Sequence, residues 1–139
     1  MLGKPEHGWT DFSLGDSVYS LSYLTNIPLD WLERAIFGLE TLQPFAVCGN
    51  CEPGEMVCTV DLQECRIRFE DEIHRKDDAL LQIVPVSMLD FCRILYEDIS
   101  SHIDDWTQWN CSYHITKEDI QSRLDRLQML IRIKENCFA

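Results

Sequence analysis

Positive charge is what this chain has least of: 12 Lys and Arg stand against 24 Asp and Glu, a formal net charge of −12 over 139 residues. A surface so short of cations repels nucleic-acid phosphates and anionic membranes and draws cationic partners toward it. Glycine and proline are also scarce, 6 and 5, beside 45% hydrophobic residues, which excludes a low-complexity or disordered chain. No apolar run reaches the length of a signal-peptide core or a membrane span. Residues 1–15 are interrupted by Lys4, Glu6 and Asp11, and residues 17–29 by polar side chains. The cysteine count is odd, seven, and a chain of this length has no need of disulfide staples. The expected compartment is the reducing cytoplasm.

Catalytic signatures are missing as well. His7, His74, His102 and His114 are scattered, with no His-x-x-x-His pair, and neither a Gly-rich phosphate loop, a serine nucleophile elbow nor a calcium loop occurs. The expectation is a protein that is not an enzyme.

What is present suffices for a core, because a domain of this length buries roughly 68–70% of the surface its unfolded chain exposes. The leader, residues 1–16, is broken by Gly3, Pro5, Gly8 and Gly15 and reads as loosely ordered; residues 17–139 read as one domain. From Ser17 the period is two, so Tyr19, Leu21 and Tyr23 share an inward face. Pro28 and Asp30 then open a helix whose apolar face is Leu32, Ala35, Ile36 and Leu39. Residues 44–72 read as a three-strand meander, with a Pro53-Gly54 turn and with Cys65, Ile67 and Phe69 opposite Arg66 and Arg68. A polar stretch, residues 71–78, closes this half. Leu89, Cys92, Tyr96, Ile99, Ile103 and Trp106 step by three or four, predicting one helix of about twenty residues from Pro85. Thr116, three residues before Asp119, starts the last helix. The predicted fold is α+β: an antiparallel sheet of about four strands with about three helices mainly on one face, in the order β-α-β-β-β-α-α.

Two sets of residues carry candidate chemistry. Cys48 and Cys51 form a C-x2-C pair, and Cys58 and Cys65 follow at seven-residue steps. Four thiolates converging tetrahedrally would hold a zinc ion, and the pair alone would support thiol redox chemistry. Against this, Glu52 and Glu55 disfavour a thiolate, and cysteines inside strands commonly serve as small apolar side chains. Asp90, Glu97 and Asp104 recur every seven residues along one helical ridge that Asp105 extends, and Trp109 lies beside them. Carboxylates bordering an aromatic suit a cationic protein surface; the same acids also suit a solvated helix face, and the tryptophans a core. The first sixty residues hold eight acids against Lys4 and Arg34 alone.

The run from Ser17 to Pro28, then Leu29-Asp30-Trp31-Leu32, a strand meander and Val84-Pro85-Val86-Ser87-Met88-Leu89-Asp90-Phe91, resembles small bacterial proteins related to the immunity proteins of polymorphic toxin systems. The likeness lies in layout and a few apolar positions across most of residues 17–133. It implies a cytoplasmic domain that neutralises a cognate toxin by tight binding, and an acidic inhibitor would suit a basic toxin. The functional expectation is a non-enzymatic acidic binding module for a cationic protein, without cofactor, nucleic acid or membrane. The alternative is a zinc-stabilised or thiol-redox protein. Oligomeric state is left open by the sequence.

Overall fold

The computed structural model describes residues 1–71, 80–109 and 114–138. The polar connection at 72–78 and the centre of the aromatic stretch at 110–113 lie outside them. The supposed leader is the first departure from expectation. β1 (Trp9–Leu14) pairs antiparallel with β2 (Ser17–Ser22), from Leu14↔Ser17 at the turn to Trp9↔Ser22. Thr10, Phe12 and Leu14 are buried in strict alternation with exposed neighbours. Gly8 and Gly15 have φ of 77° and 58°, so the glycines that appeared to break order are the turns bounding a strand. The terminus is tied down too: the Met1 ammonium lies 3.2 Å from Asp98, whose same oxygen accepts from the Leu2 amide at 2.9 Å.

α1 (Ile27–Thr41) begins with Pro28, whose missing N–H costs nothing in the first turn, and with Asp30 complementing the helix dipole. Trp31, Leu32, Ala35, Gly38 and Leu39 form its buried face. The chain then runs through β3 (Phe45–Asn50), β4 (Glu55–Val60), β5 (Cys65–Glu70) and β6 (Leu80–Val84), hydrogen-bonded antiparallel in that order. Side chains alternate between the faces of this sheet. Phe45, Val47 and Gly49 lie beside Val60, Cys58 and Met56, which lie beside Cys65, Ile67 and Phe69. This inward row faces the core.

The sheet has four strands, but its fourth member is β6 rather than β2. Ser17 donates to Gln82, Tyr19 stacks on Phe69 with centroids 5.7 Å apart, and Leu21 fills the space a Cβ on Gly49 would need. Successive inward residues of β2 thus meet β6, β5 and β3, and the hairpin crosses the sheet's inner face instead of extending its edge. Tyr23, read as inward, lies past the strand end and is exposed.

The helix from Pro85 is also two. α2 (Met88–Ser100), capped by Ser87 accepting from the Asp90 amide at 3.1 Å, ends where Ser101 donates its hydroxyl to the Glu97 carbonyl and His102 leaves helical geometry at φ −130°. α3 (Ile103–Trp106) and α4 (Lys117–Phe138) follow, the latter capped by Thr116 accepting from the Asp119 amide at 3.1 Å. α4 packs on α1 and α2. The architecture is α+β, with one cluster of buried side chains reaching from Leu2 to Ile131.

Phe45 is where the layers meet, its ring held between Gly38 of α1 and Phe91 of α2, whose centroid is 5.8 Å away. A Cβ on Gly38 would fall 2.2 Å from that ring. Helix propensity favours alanine there by about 0.5–1 kcal/mol, while overpacking a pinned ring costs about 1–3 kcal/mol. Gly38→Ala should therefore destabilise the protein by about 1–2 kcal/mol in urea denaturation; a gain in stability would mean that Phe45 is free to move.

Candidate functional site

Asp30, Glu33, Arg34 and Phe37 recur at helical spacing on the side of α1 away from its buried face. The helix is fastened to the edge of β3 by the Trp31 indole N–H, which donates to the Cys48 carbonyl at 2.9 Å. Between the two elements opens a cleft of about 390 Å³, lined by Asp30, Glu33, Arg34, Phe37, Ala46 and Cys48. Phe37 is exposed and offers an aromatic wall.

The electrostatics of the cleft are those of acids short of cations. Burial lifts the Asp30 carboxyl above its ordinary value, Glu33 lifts it further, and Arg34 offsets only part. Among the described residues Asp30 forms no ion pair, whereas Glu33 accepts from Arg123 at 2.6 and 2.9 Å. Burial, followed by the Glu55 carboxylate that accepts its S–H, pushes the Cys48 thiol up to about 11. A thiol so held is protonated at neutral pH and is neither a nucleophile nor a ready metal ligand.

The predicted acidic ridge is placed differently from expectation. Asp90 and Glu97 do share α2, but Asp104 and Asp105 belong to α3 beyond the break at His102. Asp90 lies 2.6 Å from Arg93, Asp104 3.2 Å from Lys117 and Asp105 3.7 Å from His102. Of the four, Asp90 and Asp104 face a permanent cation, Asp105 faces an imidazole that is a cation only when protonated, and Glu97 has no ion pair among the described residues. Trp109 is not a surface anchor at all: it is 1% exposed, its indole N–H donates to the Thr25 carbonyl at 2.8 Å, and it packs on Trp106 at 5.2 Å. The core needed an aromatic with a polar edge at that position.

Strand register separates the four cysteines. Cys48 is opposite Val57 on the outward row, while Cys58 and Cys65 lie on the inward row, diagonal to one another across β4 and β5. Sulfurs on opposite faces of a sheet cannot converge on one ion, so Cys48, Cys51, Cys58 and Cys65 do not make a four-thiolate zinc site. Nor does a helix follow Cys51, which sits in the β3–β4 turn, and the dipole that would activate a redox pair is missing there. The Cys58 thiol is kept protonated by its hydrogen bond to Cys65 and by burial, and Cys92 by burial. Cys58 and Cys92 behave as apolar side chains, and Cys65, buried beside Cys58, donates its S–H to the Val86 carbonyl at 3.4 Å.

Set against family models, curated proteins and solved structures, the chain matches none. Function must therefore be argued from the cleft. Its residues were each visible in the sequence, and the i, i+3, i+4, i+7 spacing of Asp30, Glu33, Arg34 and Phe37 was the available signal. What the spacing lacked was the opposing wall from β3.

Alkylation of Cys48, followed by peptide mass spectrometry, should keep accelerating through about pH 10 and shift to lower pH in Glu55→Gln, because the raised thiol titrates late. A rate that levels off near pH 8–9, about the ordinary thiol range, would contradict the Glu55 contact. Trp109→Phe should cost about 1–3 kcal/mol in urea unfolding by leaving the Thr25 carbonyl without its donor; an unchanged midpoint would show that water replaces the indole.

Proposed function

We propose that the protein is a non-enzymatic acidic binding module for a cationic protein, and that the cleft between α1 and β3 receives a lysine or arginine of that partner. The carrying observation is Asp30. Its carboxyl is raised by burial and by Glu33, and it has no ion pair among the described residues, so an incoming cation would stabilise its charged form. Phe37 adds an aromatic face against which a guanidinium or ammonium can lie.

The wider surface supports the same partner chemistry. Acids of the first sixty residues outnumber cations eight to two, and α4 supplies Arg123 and Arg126 to Glu33 and Glu40 only, at 2.6 and 2.7 Å. Asp16, Asp30, Glu52 and Glu55 have no ion pair among the described residues. Field from these groups would speed encounter with a basic surface more than it would tighten the final complex. A basic toxin neutralised by tight binding, the partner class implied by the likeness to immunity proteins, is one such polycation. The ridge on α2 and α3, where Asp90 and Asp104 are already matched to Arg93 and Lys117, is the weaker docking face.

Cationic proteins captured on the full chain should bind Asp30→Asn at least about tenfold more weakly than wild type, and should associate more slowly as salt rises. Asp90→Asn, whose carboxylate is already matched to Arg93, should change affinity less than about twofold. Equal losses in the two variants, or binding indifferent to salt, would refute the cleft as the docking site.

A further inference from the structure

The two edges of the four-stranded sheet are treated differently. At β3 the edge is covered: α1 lies along it and the Trp31 indole occupies the Cys48 carbonyl. At the other side β6 pairs with β5 alone among the described residues. Soluble proteins blunt such an edge with a charge, a proline or a bulge. β6, Leu80-Leu81-Gln82-Ile83-Val84, has no charge and no proline, and its register with β5 runs unbroken from Cys65↔Val84 to Phe69↔Leu80. Its outward side chains, Leu81 and Ile83, are 60% and 55% exposed.

We infer that β6 is a self-association edge, which pairs antiparallel with β6 of a second copy of this chain to make a continuous eight-stranded sheet. Three observations select a second copy as the occupant. Leu81-Gln82-Ile83 is pseudo-symmetric about Gln82, so a two-fold axis there sets Leu81 of each copy opposite Ile83 of the other, an isologous contact of aliphatic pairs. The outward neighbours of Leu81 and Ile83 on β5 are Arg68 and Arg66, neutralised by Glu70 at 2.7 Å and Glu64 at 3.1 Å. The strip is therefore charge-balanced within a molecule of net charge −12, and two copies can approach there with the least repulsion. Finally, a strip whose acids are already matched to arginines has nothing to offer the cationic partner of the cleft. The inference stands independently of that reading.

Salt separates the two interactions. It screens repulsion between two strongly negative copies and so favours the dimer, whereas it weakens binding of a cationic protein. Sedimentation equilibrium of the full chain, from about 1 µM to about 1 mM, should show a monomer–dimer equilibrium that shifts to dimer as salt rises. Leu81→Lys and Ile83→Lys, each occurring twice in a symmetric interface, should each weaken the dimer at least about tenfold, with far-UV circular dichroism unchanged. Amides of residues 80–84 should gain protection from hydrogen exchange as wild-type concentration rises, a measurement that needs no variant. A wild-type monomer across the whole range, a dimer that both lysine variants leave intact, or exchange at 80–84 that is independent of concentration would overturn the inference.

Discussion

Burial of one row of side chains governs this molecule: the inward row of β3, β4 and β5 must be covered, and each other element takes its place by covering part of it. Along β3 the requirement is met at both ends by opposite means. Phe45 projects a ring that Gly38 of α1 and Phe91 of α2 enclose, while Gly49, four residues on, withdraws so that Leu21 of the hairpin can enter. Large and small residues alternate where layers interdigitate, as close packing demands. The hairpin's crossing of the inner face, α1's hold on the β3 edge and the cleft beside it all follow from that arrangement.

Charge is distributed by the same packing. Glu33 and Glu40 lie on α1 with no cation nearby in sequence except Arg34, yet folding brings Arg123 and Arg126 of α4 against them. These are half-exposed pairs, worth about 0–1 kcal/mol each, so their consequence is less for stability than for where negative charge is left uncancelled. It is left at Asp30 in the cleft and at Glu55 on β4, while Asp90 of α2 and Asp104 of α3 are matched to Arg93 and Lys117. Asp98 has a further role, since its carboxylate holds the amino terminus and so secures the strand that follows it.

The cysteines show how a spacing pattern and a register differ in what they convey. Thiols at 48, 51, 58 and 65 are close in sequence, but the two-residue period of a strand sends Cys48 outward and Cys58 and Cys65 inward. Cys48 directly follows Val47 of the inward row and must therefore face the other way, a difference that composition does not register. A protonated thiol hydrogen-bonded to Glu55 and two buried sulfurs in the core are the result.

By itself the sequence determined the α+β class, α1 from Pro28 onward, the meander of β3 to β5, the buried stripe of α2 and the Thr116 cap, because each rests on periodicity, capping or turn chemistry acting over a few residues. It also set the excess of carboxylates. Only the tertiary structure decided that residues 9–14 are a strand, that β6 and not β2 completes the sheet, that the predicted long helix breaks at His102, and that Trp109 is core. Those outcomes depend on which surfaces meet: β2 is a strand by its period in either arrangement, and only contact with Gly49, Phe69 and Gln82 places it across the sheet. The cleft belongs to the same class, since Asp30 acquires its character from burial, from Glu33 and from a β3 wall sixteen to eighteen residues away in the chain.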